Sequence, residues 1–145
     1  MAHAKTLWHG RYICSHMVPK MNSWETKTTG YSVRLIQGSY SSYDLSAGTH
    51  ARGGAADSEG DGRSALTLKV ASNLARSCIL VAWPRFWSGN WHIHLLDPSC
   101  SDLSSAARAQ VLLFGRGFDG LVGNHPDPGS RYYAKAIMAA YWKAH

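Results

Sequence analysis

Two segments carry the side chains with the clearest chemical potential in this 145-residue chain: Thr49-His50-Ala51-Arg52-Gly53-Gly54-Ala55-Ala56-Asp57 and Trp91-His92-Ile93-His94. Two imidazoles and a carboxylate drawn from separate segments are what a catalytic zinc requires: three protein ligands, with a fourth position left for water. A folded site of that kind lowers the pKa of its bound water to roughly 7, so that a hydroxide nucleophile forms at neutral pH. The spacing of the second segment supports the assignment. In a strand over 91–96, side chains alternate between faces, so His92 and His94 project together while Trp91, Ile93 and Leu95 form the apolar face opposite. Spacing alone leaves open which of His92 and His94 is the ligand.

The pattern His50-x-x-Gly53-x-Ala55-x-Asp57 resembles the signature of zinc D-Ala-D-Ala carboxypeptidases, L-alanyl-D-glutamate peptidases and phage cell-wall peptidases. The later His-x-His resembles the second motif of the wider group that includes lysostaphin-type peptidases and the Hedgehog signalling domain. The flanking Gln37-Gly38-Ser39-Tyr40, Ser46-Ala47-Gly48-Thr49-His50 and Gly115-Arg116-Gly117 are similar to the peptidase domains of actinobacterial and actinophage lysins, and the resemblance covers roughly residues 7–131. It implies zinc held by His50, Asp57 and His94, with His92 beside the metal assisting catalysis. It implies a Hedgehog-like and D-Ala-D-Ala-peptidase-like fold, and peptidoglycan stem peptides or crosslinks as substrate, cut at an L,D or D,D centre. Gln37 and Tyr40 are the candidates for steadying that substrate.

The chain also departs from the family. A Glu or Asp general base commonly stands shortly before the last ligand, whereas Trp87-Ser88-Gly89-Asn90-Trp91 contains no carboxylate. Glu59 and Asp61, in an expected turn, are the nearest spare acids. Many members place an Arg where this chain reads Gln37-Gly38-Ser39-Tyr40. His92 then has three candidate roles: proton carrier, orienter of Asp57 or a water, and charged donor to the oxyanion. The alternative to a peptidase is a zinc-stabilised module that binds wall or protein without catalysis, a use to which the Hedgehog domain puts this constellation.

The elements that must position these residues are predicted from periodicity and turn signals. A first helix covers 14–26 with Pro19 near its start, and a strand covers 31–37. A Ser- and Gly-rich loop over 38–49 leads to a short strand placing Asp57, and 58–63 form a polar turn. Ser64 caps a helix through Ser77 with Leu66, Val70, Leu74 and Cys78 along one face. Strands cover 79–83 and 91–96, separated by an aromatic loop over 84–90. Ser101 or Asp102 caps a helix to Phe114 with Leu103, Ala107, Val111 and Phe114 inward. A glycine-rich loop over 115–130 precedes a final helix, 132–143, packing through Tyr133, Ile137, Ala140 and Tyr141. The sum is a single α+β domain over 1–145, a small antiparallel sheet flanked by helices.

Of the aromatic residues near the site, Trp83, Phe86, Trp87 and Trp91, at least two are expected in the core. Tyr40 or Tyr43 is expected to line the cleft, with Asp44 and Ser46 shaping its loop, and His125 to be a loop residue. His3, His9, His16 and His145 show no metal-ligand pattern.

Hydrophobic residues at 45% exclude compositional disorder, and 145 residues suit one domain with a core. The net charge of +6 favours anionic partners such as wall polymers. No nucleic-acid signature or dense Lys/Arg cluster accompanies it. Cys14, Cys78 and Cys100 form no Cys-x-x-Cys pair, which argues against a thiolate zinc site and leaves one disulfide plus a thiol, or three free thiols. Residues 1–20 lack the apolar run of a secretory signal, and no stretch approaches the about 20 residues of a membrane span. A monomeric wall enzyme of that kind suits phage-type release, or a domain of a longer lysin.

Overall fold

Strand register decides which side chains of this protein meet. The computed structural model describes residues 3–28, 33–41, 48–60, 62–87, 89–121 and 123–145. The expectations for Tyr43, Asp44, Ser46 and Asp61 lie outside the described residues, as does the side chain of Trp87. In chain order the elements are β1 (Lys5–Trp8), β2 (Arg11–Cys14), α1 (Val18–Lys27), β3 (Leu35–Gln37), β4 (Ala55–Glu59), α2 (Ala65–Ser77), β5 (Val81–Trp87), β6 (Asn90–Leu96), α3 (Ser105–Gly115) and α4 (Arg131–Ala144). β1 and β2 form a hairpin, and a second, wholly antiparallel sheet has the order β3-β4-β6-β5. The class is α+β, small antiparallel sheets with flanking helices. Among the described residues no helix is long and apolar enough to cross a membrane.

The N-terminal hairpin replaces the start of the expected first helix. His9 and Gly10 both take positive φ, 46° and 78°, the combination that turns a two-residue hairpin in the hand of the strand twist. Cys14 therefore ends β2, and α1 begins at Val18 with Pro19 in its first turn, where its missing N–H costs nothing. The expected polar turn over 58–63 is shorter than predicted, because β4 continues through Glu59. The expected loop over 84–90 is mostly strand, because β5 runs through Trp87 and pairs with β6 down to Trp87↔Asn90. Pro84 misled that reading. β5 is an edge strand, and an edge tolerates a residue without an N–H.

α2 starts as expected, with Ser64 Oγ accepting from Thr67 N at 3.2 Å. Only half of the expected stripe faces the core, however: Cys78 is buried and Leu74 packs partly against it. Leu66 is 72% exposed and Val70 54%, while Leu68, Ala71, Ala75 and Arg76 are inside. Polar anchors set that rotation: buried Trp24 Nε1 donates to the Ala71 carbonyl at 2.9 Å, and Arg76 donates to the Ala82 carbonyl at 3.0 Å and pairs with Asp127 at 2.7 Å. A buried donor left unpaired costs more than an exposed leucine.

α3 is capped by Ser104, whose Oγ accepts from Ala107 N, rather than by Ser101 or Asp102, and its expected face of Leu103, Ala107, Val111 and Phe114 is buried. α4 packs back through Ile137 and Tyr141. Ile93 and Leu95 are fully buried, as the alternation in β6 requires.

The chain that delivers the first motif is held by a close approach at Gly54. Its φ is +79°, and a Cβ there would lie 2.7 Å from Leu103 Cδ2 and 2.8 Å from Cys100 Cβ. Gly54→Ala is expected to destabilise the fold by about 2–4 kcal/mol, the sum of a left-handed non-glycine residue and an overpacked core. A lowered midpoint in urea unfolding checks it.

Candidate metal centre

Residues opposite each other in an antiparallel pair share a face of the sheet. The register sets Gln37 opposite Asp57, Asp57 opposite His94 and His94 opposite Trp83. One step along the same face, Glu59 stands opposite His92 and His92 opposite Arg85. His50 joins the first row from the turn before β4. The two motifs, far apart in sequence, thus meet at one spot.

The atoms at that spot are specific. His50 Nε2 lies 3.4 Å from Asp57 Oδ1, and His94 Nδ1 lies 2.7 Å from the same oxygen. The ligand atoms of His50, Asp57 and His94 all fall within 4.8 Å of one another, with His50 1% and His94 6% exposed. The outer ring nitrogens are engaged by oxygens: His50 Nδ1–H donates to the Gly38 carbonyl at 3.0 Å, and His94 Nε2–H donates to Gln110 Oε1 at 2.8 Å. Holding the proton on the outer nitrogen turns each inner lone pair toward Asp57. Two imidazole lone pairs and a carboxylate then point at one buried location, which demands positive charge there, a metal ion or a proton. This donor set fits zinc, and outer-shell acceptors of this kind are what fix metal-binding histidines.

Packing holds the geometry. A Cβ at Gly38 would overlap the Tyr12 carbonyl oxygen, so only glycine lets that backbone close on β2 and present its own carbonyl to His50. Trp83 stacks against His94 at 7° between planes, with centroids 6.2 Å apart, and Phe114 of α3 closes edge-on over Trp83. Burial works to raise the pKa of Asp57, and the adjacent His50 and His94 more than reverse it, holding the carboxyl well below the ordinary range.

In the second row, His92 Nε2 stands 4.0 Å from Asp57 Oδ2. Burial, aided by His94, Arg85 and His50, pushes the His92 pKa down against the pull of Asp57, so the ring is neutral at pH 7. Glu59 is the last residue of β4 rather than part of a turn, and its carboxylate is 3.3 Å from Arg34.

Arg85 was not anticipated from sequence. Its guanidinium lies over the Trp83 ring at 4.8 Å, and Nη1 and Nη2 are buried with no hydrogen-bond partner among the described residues. Burial pushes its pKa down to about 10, which leaves it charged at pH 7. The signal was the alternation Trp83-x-Arg85, hidden by reading Pro84 as the start of a loop. Gln110 was also missed, because a glutamine on an amphipathic helix looks like any other surface residue.

The two substrate candidates have other engagements. Gln37 Nε2 donates to Ser41 Oγ at 3.1 Å. Tyr40 packs its hydroxyl toward Gly53 and Cys100, and burial, with Cys14 and Asp102, pushes its pKa up to about 12. Trp83 belongs to the core and Phe86 is exposed, resting edge-on against Trp91. His125 is an exposed loop residue beside Asp119. No family model matches this chain, and no curated protein or solved structure matches it.

Gln110→Leu is expected to weaken the binding of a divalent metal ion at this centre about 10- to 100-fold at unchanged stoichiometry, because His94 then loses the acceptor that fixes its tautomer. Competition with a chromophoric chelator measures the affinity. His94→Ala in the same assay should abolish binding at this centre.

Proposed function

We propose that this chain is a zinc metallopeptidase that hydrolyses peptidoglycan stem peptides or crosslinks, with the Hedgehog-like and D-Ala-D-Ala-peptidase-like fold that its motifs resemble. The observation that carries the reading is the pair of rows on one sheet face: three convergent acceptors in the first, and His92 with Arg85 in the second. His50 Nε2, Asp57 Oδ1 and His94 Nδ1 would hold the metal. Zinc, when bound, would polarise the scissile carbonyl and activate the attacking water.

The chain's own residues supply the remaining steps. Neutral His92 takes the proton of the attacking water and, as an imidazolium, returns it to the leaving amine. It fills the place of the carboxylate missing from 87–91, since burial keeps it unprotonated and ready to accept. Arg85 offers two donors without a partner among the described residues, and a fixed positive charge, to the oxyanion or to a substrate carboxylate, the task for which the Gln37–Tyr40 segment supplies no cation. Stem peptides and wall polymers are anionic, and the chain's net charge of +6 draws it to them.

The test is mass spectrometry of purified peptidoglycan digested by the zinc-loaded protein, with metal-stripped protein and His94→Ala as controls. New amino and carboxyl ends that vanish in both controls are expected, and they name the bond. Intact peptides from several wall types, with zinc demonstrably bound, would instead make the chain a zinc-stabilised binding module. Arg85→Met is expected to lower kcat/KM by about 10²–10³-fold, as loss of an oxyanion donor does, while zinc stoichiometry stays unchanged.

A further inference from the structure

We propose that His3, Cys14 and Cys100 form a second metal site, a thiolate-rich centre suited to zinc and separate in every ligand from the His50–Asp57–His94 centre. Cys14 ends β2 and Cys100 follows β6, 86 positions apart, so no local spacing betrays the pair. The fold brings them together in the core, both fully buried. Cys100 Sγ is 3.1 Å from Cys14 Sγ, and His3 Nδ1 is 3.1 Å from the same Cys14 sulfur. All three ligand atoms lie within 4.8 Å of one another. Zinc bonds of about 2.3 Å to sulfur and about 2.0–2.1 Å to nitrogen space tetrahedral ligand atoms roughly 3.5–3.8 Å apart. A slight spreading of the two sulfurs therefore accommodates the ion.

Two neighbours favour a metal over a disulfide. The Tyr40 hydroxyl is buried with no hydrogen-bond partner among the described residues. It borders the same wall as Cys100: a Cβ built on Gly53 would lie 3.0 Å from that hydroxyl and 3.2 Å from Cys100 Sγ. A metal with three protein ligands keeps a fourth position, for a water or for this phenol. His3 is the other neighbour. His16 stacks on it at 4.6 Å and 9°, and His16 is itself 3.2 Å from Asp97 Oδ2, so the His3 ring is held in plane facing the sulfurs. A disulfide would satisfy the two cysteines but leave the buried Tyr40 hydroxyl without a partner among the described residues and take from His3 Nδ1 the thiol it now meets. His3 is only half-buried, which gives an ion a way in.

Cobalt(II) distinguishes the two centres, because only thiolate ligands give an intense near-ultraviolet charge-transfer band. The 145-residue chain, reduced and metal-stripped, is titrated with Co²⁺ without oxygen. The wild type is expected to take two ions per chain and to show the band. Cys100→Ser should lose the band and one ion, whereas His94→Ala should lose one ion and keep the band. His3→Ala alters a half-exposed side chain and leaves the core intact, so it serves if Cys100→Ser does not fold. It should weaken the band-forming site by about tenfold or more. Wild-type protein that binds cobalt without the band would overturn the proposal, as would a Cys14–Cys100 disulfide found by intact mass in metal-loaded protein. Loss of the His94-dependent ion with the band intact would count against the peptidase reading alone.

Discussion

The structure depends on two imidazoles and a carboxylate gathered at one buried spot, an arrangement that a shared cation or proton completes. Two inner imidazole nitrogens face one carboxylate oxygen inside the protein, at 3.4 Å and 2.7 Å. Gly38 and Gln110 hold the ring protons on the far sides. Lone pairs gathered in a low-dielectric interior are costly unless a cation or a proton sits among them. The strand pairing makes this arrangement hard to escape. A one-residue slip of β6 against β4 would swing His92 and His94 to the opposite face and turn Ile93 and Leu95 out of the core. The register that buries the apolar side chains thus also assembles the acceptors, which couples metal affinity to folding.

The second row of the same face adds a base and a cation to the candidate metal site. His92 and Arg85 are neighbours across β5 and β6, one step from the metal ligands and on the same side of the sheet. Their environments drive them to different states. Burial leaves His92 neutral and able to accept a proton, while Arg85 retains its charge with neither terminal nitrogen hydrogen-bonded among the described residues. A neutral base beside a fixed cation, both one step along the sheet from a candidate metal site, is a division of roles that supports the amide hydrolysis we propose.

How much of this was legible follows from what each signal depends on. The cluster that could hold a metal was legible because its signal is local: His50 and Asp57 within eight positions, and His92 and His94 two apart in a strand whose other face is Trp91-Ile93-Leu95. The capping of α2 by Ser64 and the inward face of α3 were legible for the same reason. Arg85 was hidden because Pro84 reads as a loop residue unless the strand is known to lie at a sheet edge. The rotation of α2 was hidden because it is set by Trp24 and Arg76 finding partners outside their own helix. Gln110 and the Cys14–Cys100 pair carried no local signal at all, since only the tertiary fold brings each beside its partner.

The glycine-rich loop after α3 is less independent of the chemistry than its composition suggests. Asp127, near its end, accepts from Arg76 Nη2 at 2.7 Å and from Trp83 Nε1 at 3.1 Å. Gly120, at φ +68°, lies so close that a Cβ would meet Trp83 Cη2 at 2.8 Å. The indole is therefore clamped by the loop on its nitrogen and along its ring, while it stacks on His94 and carries Arg85 over its ring. One aromatic plane links His94 of the candidate metal cluster, the Arg85 guanidinium and a loop that would otherwise be free to wander. Conformational freedom in that loop would reach the metal centre through Trp83. This accounts for a charged, half-buried anchor in a segment where surface residues would have sufficed.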